Sequence, residues 1–270
     1  MSVATCVPVL EGEFRGSDRA RAQSRVLVVL PAYNEELNIG ALVERVDEAM
    51  ADCHLPYEVI VVDDGSSDGT FEVLSGAARA FPLVVARHEQ NQGLGATIRD
   101  GLLLAAQRAR NSDIVITMDA DGTHTPGLIG RMARMIQEGH DVVIASRYQS
   151  GSQTFGVPRH RRALSYAASW LFRVMFPIAG VRDYTCGYRA YRASILKTAI
   201  ETYGPGFLNR AGFEAMVDIL LNLRRLPAIF GEASMVLRYD LKGGASKMRV
   251  TRTAFQTLAL IGKRRLGIYG

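Results

Sequence analysis

The sequence lacks the features that mark several large protein classes. Cysteine is scarce, with three residues, Cys6, Cys53 and Cys186. Their number is odd, their spacings are wide and no CxxC pair occurs. Neither a disulfide framework nor a zinc site is therefore expected, and a reducing, cytoplasmic setting fits. Long apolar runs are missing too. The best uncharged stretch, Ala163–Phe172, covers about ten residues, against the roughly 20 that a membrane-spanning helix needs. Residues 1–24 mix Glu, Asp and Arg without an apolar centre, so they read as a flexible N-terminal tail rather than a signal peptide. No GxxxxGK(S/T) loop is present, which argues against an ATPase or kinase. An HExxH helix and a Cys-His pairing are also absent, leaving metalloprotease and cysteine-hydrolase chemistry without their parts.

What remains is the composition of an ordinary globular protein, 48% hydrophobic and 22% charged. A length of 270 residues suits one core with a small appended lobe. The net charge of +5 is unevenly spread, with acidic clusters in the first half and Arg and Lys gathered after Arg147. That asymmetry suits an anionic partner for the second half, or simply a solvated basic face. Nucleic acid is not the expected partner, because basic and aromatic residues are not interleaved and no recognised module appears.

Hydropathy patterning gives the fold class. Val26–Leu30, Glu58–Val62, Leu83–Arg87, Ile114–Met118 and Val142–Ala145 are short, β-branched apolar runs, as expected of strands buried on both faces. Between them lie helical patterns: one beginning at Ile39 behind an Asn38 cap, then Phe71–Ala80, Ala96–Arg110 and Leu128–Gln137. Strand and helix alternate with short connections, which predicts an α/β fold with a parallel sheet covered on both faces. In such sheets ligands sit beyond the carboxyl ends of the strands. The second half predicts a polar loop over Tyr148–Pro158, a helix over Arg161–Met175 and a turn or strand over Tyr184–Arg192. A helix over Gly212–Arg225, a strand within Pro227–Tyr239, a basic Gly-rich loop over Leu241–Lys247 and a terminal amphipathic helix complete it.

Two acidic turns fall at strand ends. Asp119-Ala120-Asp121 presents two carboxylates that can hold one Mg²⁺ or Mn²⁺, hard ions that take oxygen ligands and share their shell with phosphates. A turn capped by Asp is the simpler reading of either residue alone. Asp63, Asp64 and Asp68 form the second turn: Asp63 is placed to accept from a nucleobase or ribose, and Asp68 to cap the following helix. The Asn91-Gln92-Gly93-Leu94-Gly95-Ala96 stretch lets backbone approach a ligand.

Taken together, Pro31-Ala32-Tyr33-Asn34-Glu35-Glu36, Asp63-Asp64-Gly65-Ser66-Ser67-Asp68-Gly69-Thr70, Asn91 with Gly93 and Gly95, Asp119-Ala120-Asp121 and Ser146-Arg147-Tyr148 occur in the order seen in family 2 glycosyltransferases. The chain most resembles the dolichol-phosphate mannose synthase branch, from about Val26 to Arg249. The resemblance implies a GT-A fold over residues 25–249, with a nucleotide-sugar half (25–147), an acceptor half (148–249) and an appended amphipathic helix (250–270). It implies an inverting, metal-dependent hexose transfer from a GDP-mannose or UDP-glucose type of donor to a polyprenyl phosphate. Pro31, Tyr33, Glu35, Asp63, Gly93 and Ala120 would line the donor site, and Asp119 and Asp121 would hold the metal and diphosphate. Where the family usually has Gln after the DxD, Thr123 stands here, followed by His124. Arg147, Arg161, Ser165 and Arg238 resemble the residues that grip the lipid phosphate, with Asp121 and Arg147 the catalytic pair. Attachment would be peripheral, on the cytoplasmic face of a membrane or through a membrane-anchoring partner. The alternatives are a transferase acting on a glycan or small-molecule hydroxyl, for which His124 and His160 are the candidate bases, and a non-catalytic nucleotide-sugar-binding module.

Overall fold

The computed structural model describes residues 8–12, 23–204, 207, 212, 214–241 and 262. The side chains of Pro8, His160, Arg161 and Leu241 lie outside that description, as do the Gly-rich loop from residue 242 onward and nearly all of the expected terminal helix. The strands are β1 (Pro8–Glu11), β2 (Val26–Ala32), β3 (Tyr57–Asp63), β4 (Leu83–Arg87), β5 (Ile114–Thr117), β6 (Val142–Ser146), β7 (Gln153–Phe155), β8 (Arg189–Arg192), β9 (Phe230–Ser234) and β10 (Val236–Arg238). The helices are α1 (Ile39–Cys53), α2 (Thr70–Ala77), α3 (Leu94–Arg108), α4 (Ile129–Gln137), α5 (Arg159–Met175), α6 (Ala193–Tyr203) and α7 (Glu214–Leu223).

One eight-stranded sheet runs in the order β1-β4-β3-β2-β5-β8-β6-β9. Strands β4, β3, β2 and β5 are mutually parallel, as are β6 and β9, whereas β8 runs antiparallel between β5 and β6. Because β8 reverses direction, β6 and β9 point the same way as β2, and their carboxyl ends share one edge. Helices α1, α2 and α4 pack together on one face, and α3, α6 and α7 on the other. The central strands are therefore buried on both sides, which is why Val26–Leu30 and Val59–Val62 are apolar at every position. The opposite edge is closed by ion pairs: Arg108 bridges Glu58 at 2.8 and 3.0 Å, and Arg110 bonds Asp113, which also accepts the Arg25 N–H at 3.0 Å. Charge at the amino edge is thus tied up in structure, and the carboxyl edge carries the loops.

Three features depart from the sequence reading. Pro8–Glu11, inside the expected tail, is an edge strand antiparallel to β4, held by Gly12 N–H to Leu83 O at 2.7 Å and by an Arg108–Glu11 pair at 3.1 Å. The open edge of β4 captures a segment too short and mixed to stand out by pattern. Helix α6 follows β8 with no turn residues between them, so one punctuated segment hides two elements. Finally, β7 lies within the expected Tyr148–Pro158 loop and pairs in parallel with β10 as a small second sheet.

Candidate active site

The segments expected on the donor side begin with two loops that lock into each other. Beyond β2, Asn34 N–H donates to Ser66 Oγ (2.9 Å), Ser67 N–H donates to Asn34 Oδ1 (2.9 Å), and Glu35 N–H donates to Thr70 Oγ1 (2.8 Å). Asp68 accepts the Thr70 N–H at 3.1 Å from one position ahead of Gly69, the residue that caps α2 in place of the expected Asp68. Asn38 does not cap α1 by its side chain; its amide donates to Glu35 Oε2 at 2.8 Å instead. Pro31, Tyr33 and Glu35, the residues expected to line the donor site, are half-buried along this segment.

Asp63 ends β3 and is fully buried. Its Oδ1 accepts the Ser66 N–H at 3.0 Å, while its Oδ2 lies 3.1 Å from Arg87 Nε, an ion pair without hydrogen-bond alignment. Its neighbour Asp64 does a different job. Asp64 accepts the N–H groups of Gln92 (2.8 Å) and Gly93 (2.9 Å), folding the Gly-rich loop back toward the β3 turn. Gly65 makes this possible: at φ +66, a Cβ there would come within 2.6 Å of the Gln90 carbonyl carbon.

The Asp119-Ala120-Asp121 turn leaves β5 next to β2. Ala120 is buried, and the Asp119 side chain is 46% exposed. Thr123 gives both its N–H (3.1 Å) and its hydroxyl (2.7 Å) to Asp121 Oδ1, so it orients that carboxylate. His124 accepts the Asp119 N–H at 3.2 Å and stacks on Tyr188 with ring centroids 5.0 Å apart. It acts as a brace for the turn. The two exposed-side carboxylates suit Mg²⁺ or Mn²⁺ by their hard oxygen donors. Among the described residues, no group of three or more His, Cys, Asp or Glu could enclose a metal. A cation here would complete its shell with diphosphate and water.

The residues expected to take the acceptor come from the second half of the chain. Arg147, just past β6, forms a two-pronged pair with buried Asp183 (2.8 and 2.7 Å) and bonds Thr185 Oγ1 at 2.6 Å. Burial works against the Arg147 charge, but Asp183 overrides it and holds the guanidinium above its ordinary range. Nε and Nη2 are committed to these partners, and Nη1 carries the other two N–H groups. Tyr148 OH donates to Ser165 Oγ at 3.1 Å, which joins the Arg147 turn to α5. Arg161 sits one turn before Ser165 on that helix, with its side chain outside the described residues. Arg238, at the end of β10, donates its backbone N–H to Thr123 O at 3.0 Å. Its guanidinium pairs with Asp240 at 2.8 Å. The chain therefore brings Arg238 beside the Asp119–Asp121 turn, although 117 positions separate Arg238 from Asp121 in the sequence.

Sequence reading passed over Asp183, Thr185 and Tyr188, which sit in a compact turn before β8, and over His88 and Asp100. Each is a lone polar residue next to an apolar segment, and only tertiary contacts assign it a role.

Comparison with known proteins fits this geometry. Residues 27–199 match the glycosyl transferase family 2 model. The chain belongs to that family. A family 2 relative, the dolichol-phosphate mannosyltransferase of Pyrococcus furiosus, is 31% identical over 73% of this chain, which spans 52% of that protein's length. The polyprenol monophosphomannose synthase of Mycolicibacterium smegmatis is 35% identical over 71% of both chains. The solved structure of glucosyl-3-phosphoglycerate synthase from Mycobacterium tuberculosis, in complex with Mn²⁺, UDP and phosphoglyceric acid, superposes with a TM-score of 0.65 at 21% identity, covering 96% of this chain and 87% of that one. This likeness shows the GT-A fold common to family 2 members.

Proposed function

We propose that the chain transfers a hexose from a nucleotide sugar to a polyprenyl phosphate with inversion at the anomeric carbon. The observation that carries this reading is the Arg238–Thr123 backbone bond of 3.0 Å, which sets an acceptor-side arginine against the acidic turn of the donor side. Asp63 and the Pro31–Glu35 segment would take the base and ribose. Asp119 and Asp121 would hold a divalent cation, which when bound neutralises charge developing on the departing diphosphate. Arg147, Arg161 and Arg238 supply planar donors suited to a phosphate dianion. A phosphate monoester carries about −1.5 to −2 charge at neutral pH, so its oxygen attacks C1 without a base. The C1–O bond to the acceptor forms as the C1–O bond to diphosphate breaks, and the electron pair leaves with the diphosphate. The role of His124 as a brace for Asp119 supports a phosphate acceptor over a hydroxyl that needs deprotonation.

Helix α5 supports peripheral attachment to an anionic bilayer. Tyr166, Trp170 and Val174 recur every four residues on one exposed face. Arg159, Arg162 and Arg173 are exposed alongside, and no acidic residue occurs in the helix. Among the described residues, no helix is long and apolar enough to cross a membrane.

The test is incubation with a panel of GDP- and UDP-sugars and a short-chain polyprenyl phosphate, with products read by mass. One glycosyl phospholipid, lost with EDTA and restored by Mg²⁺ or Mn²⁺, is expected. Transfer to glycan hydroxyls alone would overturn the acceptor assignment.

A further inference from the structure

His88 follows the last residue of β4 and is buried together with two carboxylates, Asp64 and Asp100. Its Nδ1 lies 2.7 Å from Asp64 Oδ1 and its Nε2 lies 3.0 Å from Asp100 Oδ2. One imidazole therefore spans the gap between the two carboxylates. On the exposed side, Arg99 closes the chain with a bond to Asp100 at 2.7 Å. Nothing in the transfer reaction proposed above uses this group.

Its position gives it a use. Asp63 pairs with Arg87 in register across β3 and β4, and the next residue along each strand repeats the pairing as Asp64 with His88. Side chains alternate across a strand, so the two pairs are presented in different directions. Asp63 is the residue assigned to the base, while Asp64 holds the N–H groups of Gln92 and Gly93 at the start of α3. Asp100 lies farther along that same helix. His88 therefore ties the carboxylate that folds the Gly-rich loop to the helix that the loop begins. Glutamine or asparagine cannot replace it, because either would turn a carbonyl oxygen toward one of the carboxylates.

We propose that His88 is a positioning residue for the nucleotide: clamped between Asp64 and Asp100, it fixes the Asn91–Gly95 loop as a wall of the donor pocket. This rests on the assignment of the Asp63 cleft to the nucleotide. The ring touches neither donor nor acceptor and acts through Asp64. Without it, two buried carboxylates lose their shared donor and the loop loses its fixed anchor.

The experiment is titration calorimetry of UDP and GDP, each with Mn²⁺, into the wild-type chain, His88→Gln, Asp100→Ala and the double variant. Donor and acceptor KM are measured beside it, with thermal melting to establish folding. Each single variant is expected to weaken binding of the preferred nucleotide and raise donor KM by about tenfold, with acceptor KM unchanged. The double variant should bind no more weakly than either single one, because both cut the same clamp. Asp100→Ala keeps the test open if His88→Gln does not fold. Unchanged donor KM in a folded variant, equal shifts for donor and acceptor, or multiplying effects in the double variant would each overturn the clamp. If the wild type binds neither nucleotide, the donor-site assignment itself fails.

Discussion

Asp121 is held by Thr123 through two hydrogen bonds to one oxygen, which fixes the orientation of its carboxylate. Asp121→Asn keeps the size and one acceptor but removes the charge that a divalent cation needs. Turnover should fall by at least about 10²-fold with the melting temperature nearly unchanged, checked by product formation and a thermal melt on the same sample. Asp183 makes the complementary case. Complete burial pushes its carboxyl up, but Arg147 and the surrounding N–H groups outweigh that and hold it below the usual carboxylate range. A depressed native value stabilises the fold above the unfolded value of about 3.9, and that contribution disappears as pH falls through the lower native value. Asp183→Asn, which leaves buried Arg147 without its charge partner, should cost about 3 kcal/mol at pH 7. The gap from wild type should narrow below about pH 4, as read by urea unfolding across a pH series. Cys186 is buried, and burial pushes its thiol up to about 12. Alkylation at pH 8 followed by peptide mass analysis should therefore modify exposed Cys53 and spare Cys186 until the protein is denatured.

At the scale of loops and strands, one residue lets the acidic turn after β3 meet the Gly-rich loop. Gly65→Ala would place a Cβ against the Gln90 and Asn91 backbone at a positive φ. It should lower stability by more than about 1 kcal/mol and weaken nucleotide binding together, measured by urea unfolding and calorimetry. The strands of the first half were legible because each carries a short unbroken apolar run beside a Pro or Asp: Leu83–Arg87 has the expected bounds, and Val26–Leu30 extends only to Ala32. What escaped the sequence is what pairing alone decides. Pro8–Glu11 becomes a strand because β4 offers an open edge, and Gln153–Phe155 because β10 lies beside it. The reversed direction of β8 leaves no mark in its own residues. The acidic turns could be read directly because Asp at a strand end is a local signal. Asp183 under Arg147 and His88 between two carboxylates are long-range partnerships, and no spacing rule finds them.

Over the whole molecule, charge is divided by edge. The amino edge of the sheet buries Glu58 and Asp113 in pairs with Arg108, Arg110 and Arg25, whereas Asp63, Asp119, Asp121 and Arg147 stand at or just past the carboxyl ends of its strands. Helix α5 extends that edge with an apolar, basic face. Replacing Tyr166 and Trp170 by Glu should abolish co-sedimentation with anionic phospholipid vesicles while transfer to a short, soluble polyprenyl phosphate persists. Retained sedimentation would assign membrane contact elsewhere. The central claim is that Asp119 and Asp121 join a divalent cation to the diphosphate of a nucleotide. Titrating UDP and GDP into the wild-type chain, Asp119→Asn and Asp121→Asn, each with and without Mn²⁺, tests it most directly. Tight binding of one nucleotide to the wild type only when Mn²⁺ is present, and no Mn²⁺ dependence in either variant, are expected. Equal affinity with and without Mn²⁺ in the wild type, or full Mn²⁺-dependent binding in both variants, would contradict it.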